Sequence, residues 1–157
     1  MPHVRAKLQP LPLEEITALE SRIANVPIFT ILGLREVTYL RGICRAVAPR
    51  RREYDGIFET FHGGLLITIA DSTAALAVLT LTGPLAKITT TDMSIRFLMP
   101  TLTDVVVEAR VIKFGRTLVP LQVDLRSTDG KLVAIAQVTY MRLDQATAGR
   151  ISRTRET

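Results

Sequence analysis

Apolar positions crowd one stretch of this chain more than any other. From Gly64 to Leu81 the sequence offers Leu65, Leu66, Ile67, Ile69, Ala70, an unbroken run from Ala74 to Leu79, and Leu81, with no Gly or Pro after the opening Gly63-Gly64 pair. A stretch of this length makes about five helical turns. It is apolar nearly all round, which is how a helix wrapped by other elements reads. Thr82-Gly83-Pro84 is a strong stop. Asp71 is the one carboxylate inside the run, and a carboxylate among core residues needs a satisfying network or a chemical use. Thr68, Asp71, Ser72 and Ala75 recur at spacings of three and four, so they form one narrow, mostly polar strip that faces a cleft or a partner subunit.

Around this helix the pattern changes period. Leu13 to Ala24 repeats as an amphipathic helix after Pro12, with Glu14 and Glu15 in its first turn. A strand is expected from Leu34 to Val47, and 50–60 reads as a charged loop. After the central helix, strands are expected over Lys87–Phe97, Val105–Phe114, Thr117–Leu125 and Lys131–Met141. Val105, Val107, Ala109 and Val111, then Leu121, Val123 and Leu125, then Leu132, Ala134, Ala136, Val138 and Tyr140 alternate with polar neighbours, so each strand has one apolar face. Asp129-Gly130 marks a hairpin. The expected fold class is α+β, an antiparallel meander curved around one long helix. Val133, Ile135 and Met141 make the opposite face of the last strand partly apolar, a surface for another subunit.

Composition narrows the function. At 157 residues, 47% hydrophobic and 22% charged, the chain is one ordinary globular domain. Its longest uncharged run, Ser72–Ala86, is shorter than the roughly 20 residues that span a bilayer and contains Pro84, so no membrane insertion is expected. Residues 1–12 lack the apolar centre of a secretory signal, and Cys44 is alone; the expected location is cytoplasmic. The net charge of +5 comes from scattered groups: Arg50–Arg52, Lys113 with Arg116, and Arg142 with Arg150, Arg153 and Arg155. With 5% aromatic residues and no basic helix, a phosphate-bearing small ligand accounts for these better than nucleic acid. His3 and His62 are the only histidines, which argues against a metal site.

His62-Gly63-Gly64 with Asp71, then Thr90-Thr91-Asp92-Met93, the segment from Phe97 to Pro100, Phe114-Gly115-Arg116-Thr117, and 129–134 (Asp-Gly-Lys-Leu-Val-Ala) follow one another in an order that resembles the PaaI-type branch of hotdog-fold acyl-CoA thioesterases. The resemblance covers about residues 33–142, with 1–32 as an N-terminal helical extension and 143–157 as a flexible tail. It implies a five- or six-stranded sheet around the central helix, a homodimer with one continuous sheet or a dimer of dimers, sites at the subunit interface, an acyl-CoA substrate and no cofactor. It assigns Asp71 as general base or nucleophile. The Gly64 N–H, an unpaired donor at the helix N-terminus, would polarise the thioester carbonyl, with Gly63 allowing close approach. His62 would orient substrate, and Thr90 would sit beside the attacking water. The family often carries an asparagine six positions before the histidine; here Gly56 stands there, and Asp55 or Glu59, the latter where a glycine is common, would substitute. Arg116, with Lys113, Arg142 or Arg153, would meet the phosphates. An aliphatic, medium-length acyl group, with an aromatic one as the alternative, would lie beside Leu65, Leu66 and Ile69. A protein of the same fold that binds or senses acyl-CoA without efficient hydrolysis is the other reading.

Overall fold

The computed structural model describes residues 9–143. The tail reading and Arg150, Arg153 and Arg155 therefore lie outside the described residues. In order the elements are α1 (Leu13–Ile23), α2 (Pro27–Leu32), β1 (Arg35–Leu40), β2 (Ile43–Ala48), α3 (Gly63–Thr82), β3 (Ile88–Phe97), β4 (Val105–Val111), β5 (Leu118–Ser127) and β6 (Leu132–Arg142). The strands form one antiparallel sheet in the order β1-β2-β4-β5-β6-β3. This is the hotdog arrangement, a curved sheet wrapped around the long helix α3.

Two features depart from the pattern reading. The single strand expected over Leu34–Val47 is a hairpin, because Gly42 takes a left-handed φ of 75° and turns the chain back. The last strands are also not a simple meander. β3 leaves α3 and crosses to the far edge, where it pairs with β6, so only β4, β5 and β6 follow one another as neighbours. A six-residue helix, α2, went unseen; Val26-Pro27 starts it, and Gly33 ends it in the left-handed region.

α3 lies against the concave face and touches every strand. Leu66, Ile69, Thr73, Ala74, Leu76, Ala77 and Val78 are buried against Val105, Val107, Leu121, Val123 and Leu125. With a mean hydropathy of 1.8, α3 is long and apolar enough to cross a membrane; this fold buries 61% of it in its own core. α1 packs on α3, on the helix side of the sheet. Arg41, in the β1–β2 turn, joins three elements by pairing with Glu15 of α1 at 2.6 and 2.7 Å and donating to the Thr80 carbonyl of α3 at 2.8 Å.

The convex face is polar through its middle, where Glu108 pairs with Arg110 at 2.6 Å and Gln122, Asp124 and Arg126 form a row. Of the apolar positions expected on that face of β6, Val133 is closed in, and its carbonyl accepts from the Leu98 N–H. β3 is different. Only β6 borders it, most of its residues are exposed, and its outer edge is unpaired among the described residues.

Two measurements test the core. Leu76→Ala, which leaves a cavity between α3 and the sheet, lowers unfolding stability by about 2–5 kcal/mol in urea titrations. Burial pushes the Cys44 thiol from 9.0 up to about 12 and raises the Tyr39 and Tyr140 phenols. Between the unfolded and folded values the native state holds more protons than the unfolded chain, so stability falls as pH rises through that range. Urea midpoints that stayed level there would contradict the assignment.

Candidate active site

Asp71 sits midway along α3 on the strip expected from spacing; Thr68, Asp71, Ser72 and Ala75 are all half-buried, with Ile69, Ala70, Thr73 and Ala74 buried among them. Its carboxylate is held from the sheet. Thr90 Oγ1 donates to Oδ1 at 2.9 Å, and the Tyr140 hydroxyl donates to the same oxygen at 2.8 Å, with the Asp71 carbonyl 3.0 Å away. The single phenolic proton goes to the shorter, charge-assisted bond. Thr90 on β3 is the register partner of Tyr140 on β6, which sets the two hydroxyls side by side. Burial first, and then the Asp71 charge, raise the Tyr140 phenol above its ordinary value, against the lowering effect of Thr90. Tyr140 thus remains a donor through the physiological range. Both bonds fall on Oδ1, and Oδ2 has no partner among the described residues.

The second group of residues lies at the start of α3. His62 caps the helix, its Nδ1 accepting from the Gly64 N–H at 2.9 Å, while its own N–H donates to the Tyr54 carbonyl at 2.8 Å. This corrects the expectation of an unpaired Gly64 donor: the side chain two residues earlier occupies it. The N–H without a partner among the described residues is that of Gly63. Phe97 explains the glycine there, because an added Cβ would come within 3.0 Å of its ring.

Ahead of the cap, Arg50 clamps the loop. Its guanidinium meets the Asp55 carboxylate at 2.9 and 2.5 Å and donates to the Leu102 and Glu59 carbonyls at 2.9 and 2.7 Å. The Asp55 carboxylate is therefore paired with Arg50 on both of its oxygens. Glu59 has a left-handed φ of 55°, the physical reason a glycine suits that position. Its side chain is exposed. Ile57 and Phe58 at the loop tip are 91% and 82% exposed.

The basic residues lie at the opposite end of the sheet from this loop. Lys113 and Arg116 are exposed in the β4–β5 connection. Arg142 stacks 4.7 Å over the Phe114 ring and donates to the Gly115 carbonyl at 3.2 Å. The pairing of Leu118 with Met141 and of Val119 with Tyr140 puts this connection near the Asp71 end. Leu65 is half-buried, but Leu66 and Ile69, expected to line an acyl pocket, are closed into the core at 2% and 1% exposure.

The structure thus brings Asp71, Thr90 and Tyr140 together and keeps His62, Gly63, Gly64, Asp55 and Glu59 apart from them. Eight residues of helix from Gly63 to Asp71 rise about 12 Å. A single carbonyl cannot touch both ends within one chain. Tyr140 escaped the sequence reading as a site residue, since its inward position on β6 marks it only as core and its meeting with Thr90 depends on the register of the crossed-over β3.

Known proteins share this fold. Residues 58–134 match the thioesterase superfamily. A thioesterase family protein of Silicibacter pomeroyi superposes with a TM-score of 0.76 at 26% identity, covering 82% of this chain and 98% of that one. Human acyl-coenzyme A thioesterase 13 is 36% identical over 85 residues, 52% of this chain; the match spans 60% of that relative's length. The PaaI protein of the Escherichia coli phenylacetic acid degradation operon shares the fold, with a TM-score of 0.76 at 18% identity over 85% of this chain and 96% of its own. The chain has the hotdog fold, and its match to the thioesterase superfamily lies within the segment from 58 to 134.

Glu59→Gly relieves the left-handed strain of an L residue, partly offset by the greater backbone freedom of glycine in the unfolded chain. The expected gain is about 0.5–1 kcal/mol in thermal or urea unfolding, and a loss would show that the Glu59 side chain stabilises the loop.

Proposed function

We propose that the protein is an acyl-CoA thioesterase of the PaaI type, with Asp71 as its catalytic carboxylate. The observation that carries the reading is the asymmetry of that carboxylate, with one oxygen fixed by Thr90 and Tyr140, which themselves line a cavity, and the other without a partner among the described residues. As general base, Oδ2 takes a proton from water as the water oxygen attacks the thioester carbonyl. The tetrahedral intermediate then expels the coenzyme A thiolate, which takes that proton from Asp71, leaving a carboxylic acid and the free thiol. As nucleophile, the same oxygen displaces the coenzyme A thiolate to form a mixed anhydride, and water then opens it to the carboxylic acid and the Asp71 carboxylate, the released proton going to the thiolate. Both routes use one atom. A single turnover in oxygen-18 water separates them, because only the anhydride route can leave the label in Asp71.

The oxyanion donor in this proposal is the N–H at the start of α3, that of Gly63, with Gly64 joining only when His62 releases it. Given the rise of α3, the donor at each carbonyl comes from a second copy of the chain. The unpaired edge of β3 supports the same arrangement, since two such edges joined antiparallel make one continuous sheet. The exposed Phe97 and Leu98, near the β3 terminus, favour a covered surface there. Lys113 and Arg116 meet the phosphates of coenzyme A. The binding-only alternative draws on Gly56, which stands where the asparagine is usual, and on the pairing of Asp55 with Arg50.

Thiol release from acyl-CoAs decides between hydrolysis and binding alone. Asp71→Asn, folded by circular dichroism, lowers kcat by about 100- to 10,000-fold. An unchanged rate rules out the assigned role. Tyr140→Phe and Thr90→Val each lower kcat by about tenfold, more than they change KM. In sedimentation, the active species is larger than the 17.4 kDa chain at micromolar and submicromolar protein alike; an active monomer refutes the shared site.

A further inference from the structure

A cavity of about 590 Å³ is lined by Thr90 and Tyr140, the two residues that hold Asp71, and by residues of the N-terminal helices. Thr90, Tyr140 and Ala75 line the part of it nearest Asp71, and Ala75 lies one turn beyond Asp71 on the same strip of α3. Its walls are Ile23, Val26 and Phe29 from α1 and α2, Leu76 and Leu79 from α3, and Ile88 from β3. The exposed lining is about evenly polar and apolar, with Thr89 and the hydroxyls beside Asp71 set among these aliphatic and aromatic side chains. Arg22 and Lys87 rim the cavity. Arg22 donates to the Pro84 carbonyl, and Lys87 is exposed, so both charges belong to the wet end.

From these observations we infer that the acyl chain of the substrate occupies this cavity, and that α1 and α2, outside the sheet itself, determine its length. The inference rests on the thioesterase reading for the position of the carbonyl, which that reading places at Asp71, beside Thr90 and Tyr140. From Asp71 to Leu79 the helix rises about 12 Å, the reach of a medium-length alkyl chain. A short acyl group leaves the cavity unfilled. A long one must pass the Arg22–Lys87 rim into water. The class of substrate is therefore a medium-chain aliphatic acyl-CoA, gripped by residues other than the Leu65, Leu66 and Ile69 expected to lie beside the acyl group.

The test uses acetyl-, butyryl-, octanoyl-, dodecanoyl- and palmitoyl-CoA, measured both by turnover of the wild-type chain and by calorimetric binding to Asp71→Asn. Affinity rises by about fourfold per added methylene while the cavity fills, then levels off near octanoyl to dodecanoyl. Val26→Trp, at a position on the cavity wall that is 36% exposed and so tolerant of size, narrows the cavity. It lowers the octanoyl-to-acetyl affinity ratio by about tenfold or more. Phe29→Ala opens the wall and moves the plateau to longer chains. A ratio unchanged in both variants, or affinity independent of chain length, overturns the inference. If the wild-type chain hydrolyses none of the five while the binding ladder and its response to Val26→Trp persist, the thioesterase reading fails and the acyl pocket stands.

Discussion

The structure depends on burying a helix that is apolar almost all round while leaving one carboxylate of that helix in reach of water. α3 touches all six strands, and its apolar circumference leaves few positions at which a charge could sit. The strip from Thr68 to Ala75 is that gap. Within it Asp71 is half-buried, and the sheet supplies what a partly desolvated carboxylate needs, two hydroxyl donors at hydrogen-bond distance. Curvature, strand order and the position of β3 can all be read as consequences. A flat sheet would leave part of α3 uncovered, and without β3 at the β6 edge Thr90 would not lie beside Tyr140.

The remaining pieces hold this arrangement at its ends. Arg41 ties α1 and the first hairpin to the C-terminal turn of α3, and Arg50 ties the loop before His62 to the segment that follows β3. Both arginines spend most of their donors on carbonyls and a single carboxylate, a use that suits the forked guanidinium better than a lysine. The two ends of α3 are thereby fixed independently, one as a capped N-terminus with a spare N–H and the other as a floor for the N-terminal helices.

Much of this was legible in the chain. A long apolar run with one carboxylate predicts a wrapped helix, and alternation predicts which faces of β4, β5 and β6 turn inward, because both follow from local period and burial. Asp71 stood out for the same reason, and Thr90 through the resemblance. What could not be read was long-range pairing. Gly42 within a continuous β-prone stretch does not declare a hairpin by itself, and no local pattern says that β3 skips β4 to join β6. Tyr140 went unnoticed because of that second limit, as did the walls of the cavity, which come from four separate elements. The capture of the Gly64 N–H by His62 is a rotamer choice, and spacing is silent about rotamers. The pairing of Asp55 with Arg50 is likewise a matter of how the loop closes, which spacing does not specify.

The hydroxyl bonds to Asp71 span 19 residues in the case of Thr90 and 69 in the case of Tyr140. The shorter link closes with the turn between α3 and β3, whereas the longer one waits until β4, β5 and β6 have zipped against each other. Closing large loops is slow in small domains, since chain entropy is lost before distant contacts compensate it. The carboxylate therefore acquires its final orientation only when the last strand docks. During refolding, the return of a correctly oriented Asp71 becomes a clock for sheet closure, trailing the recovery of helical signal, and the chemistry of the site reports on the slowest topological event of the fold.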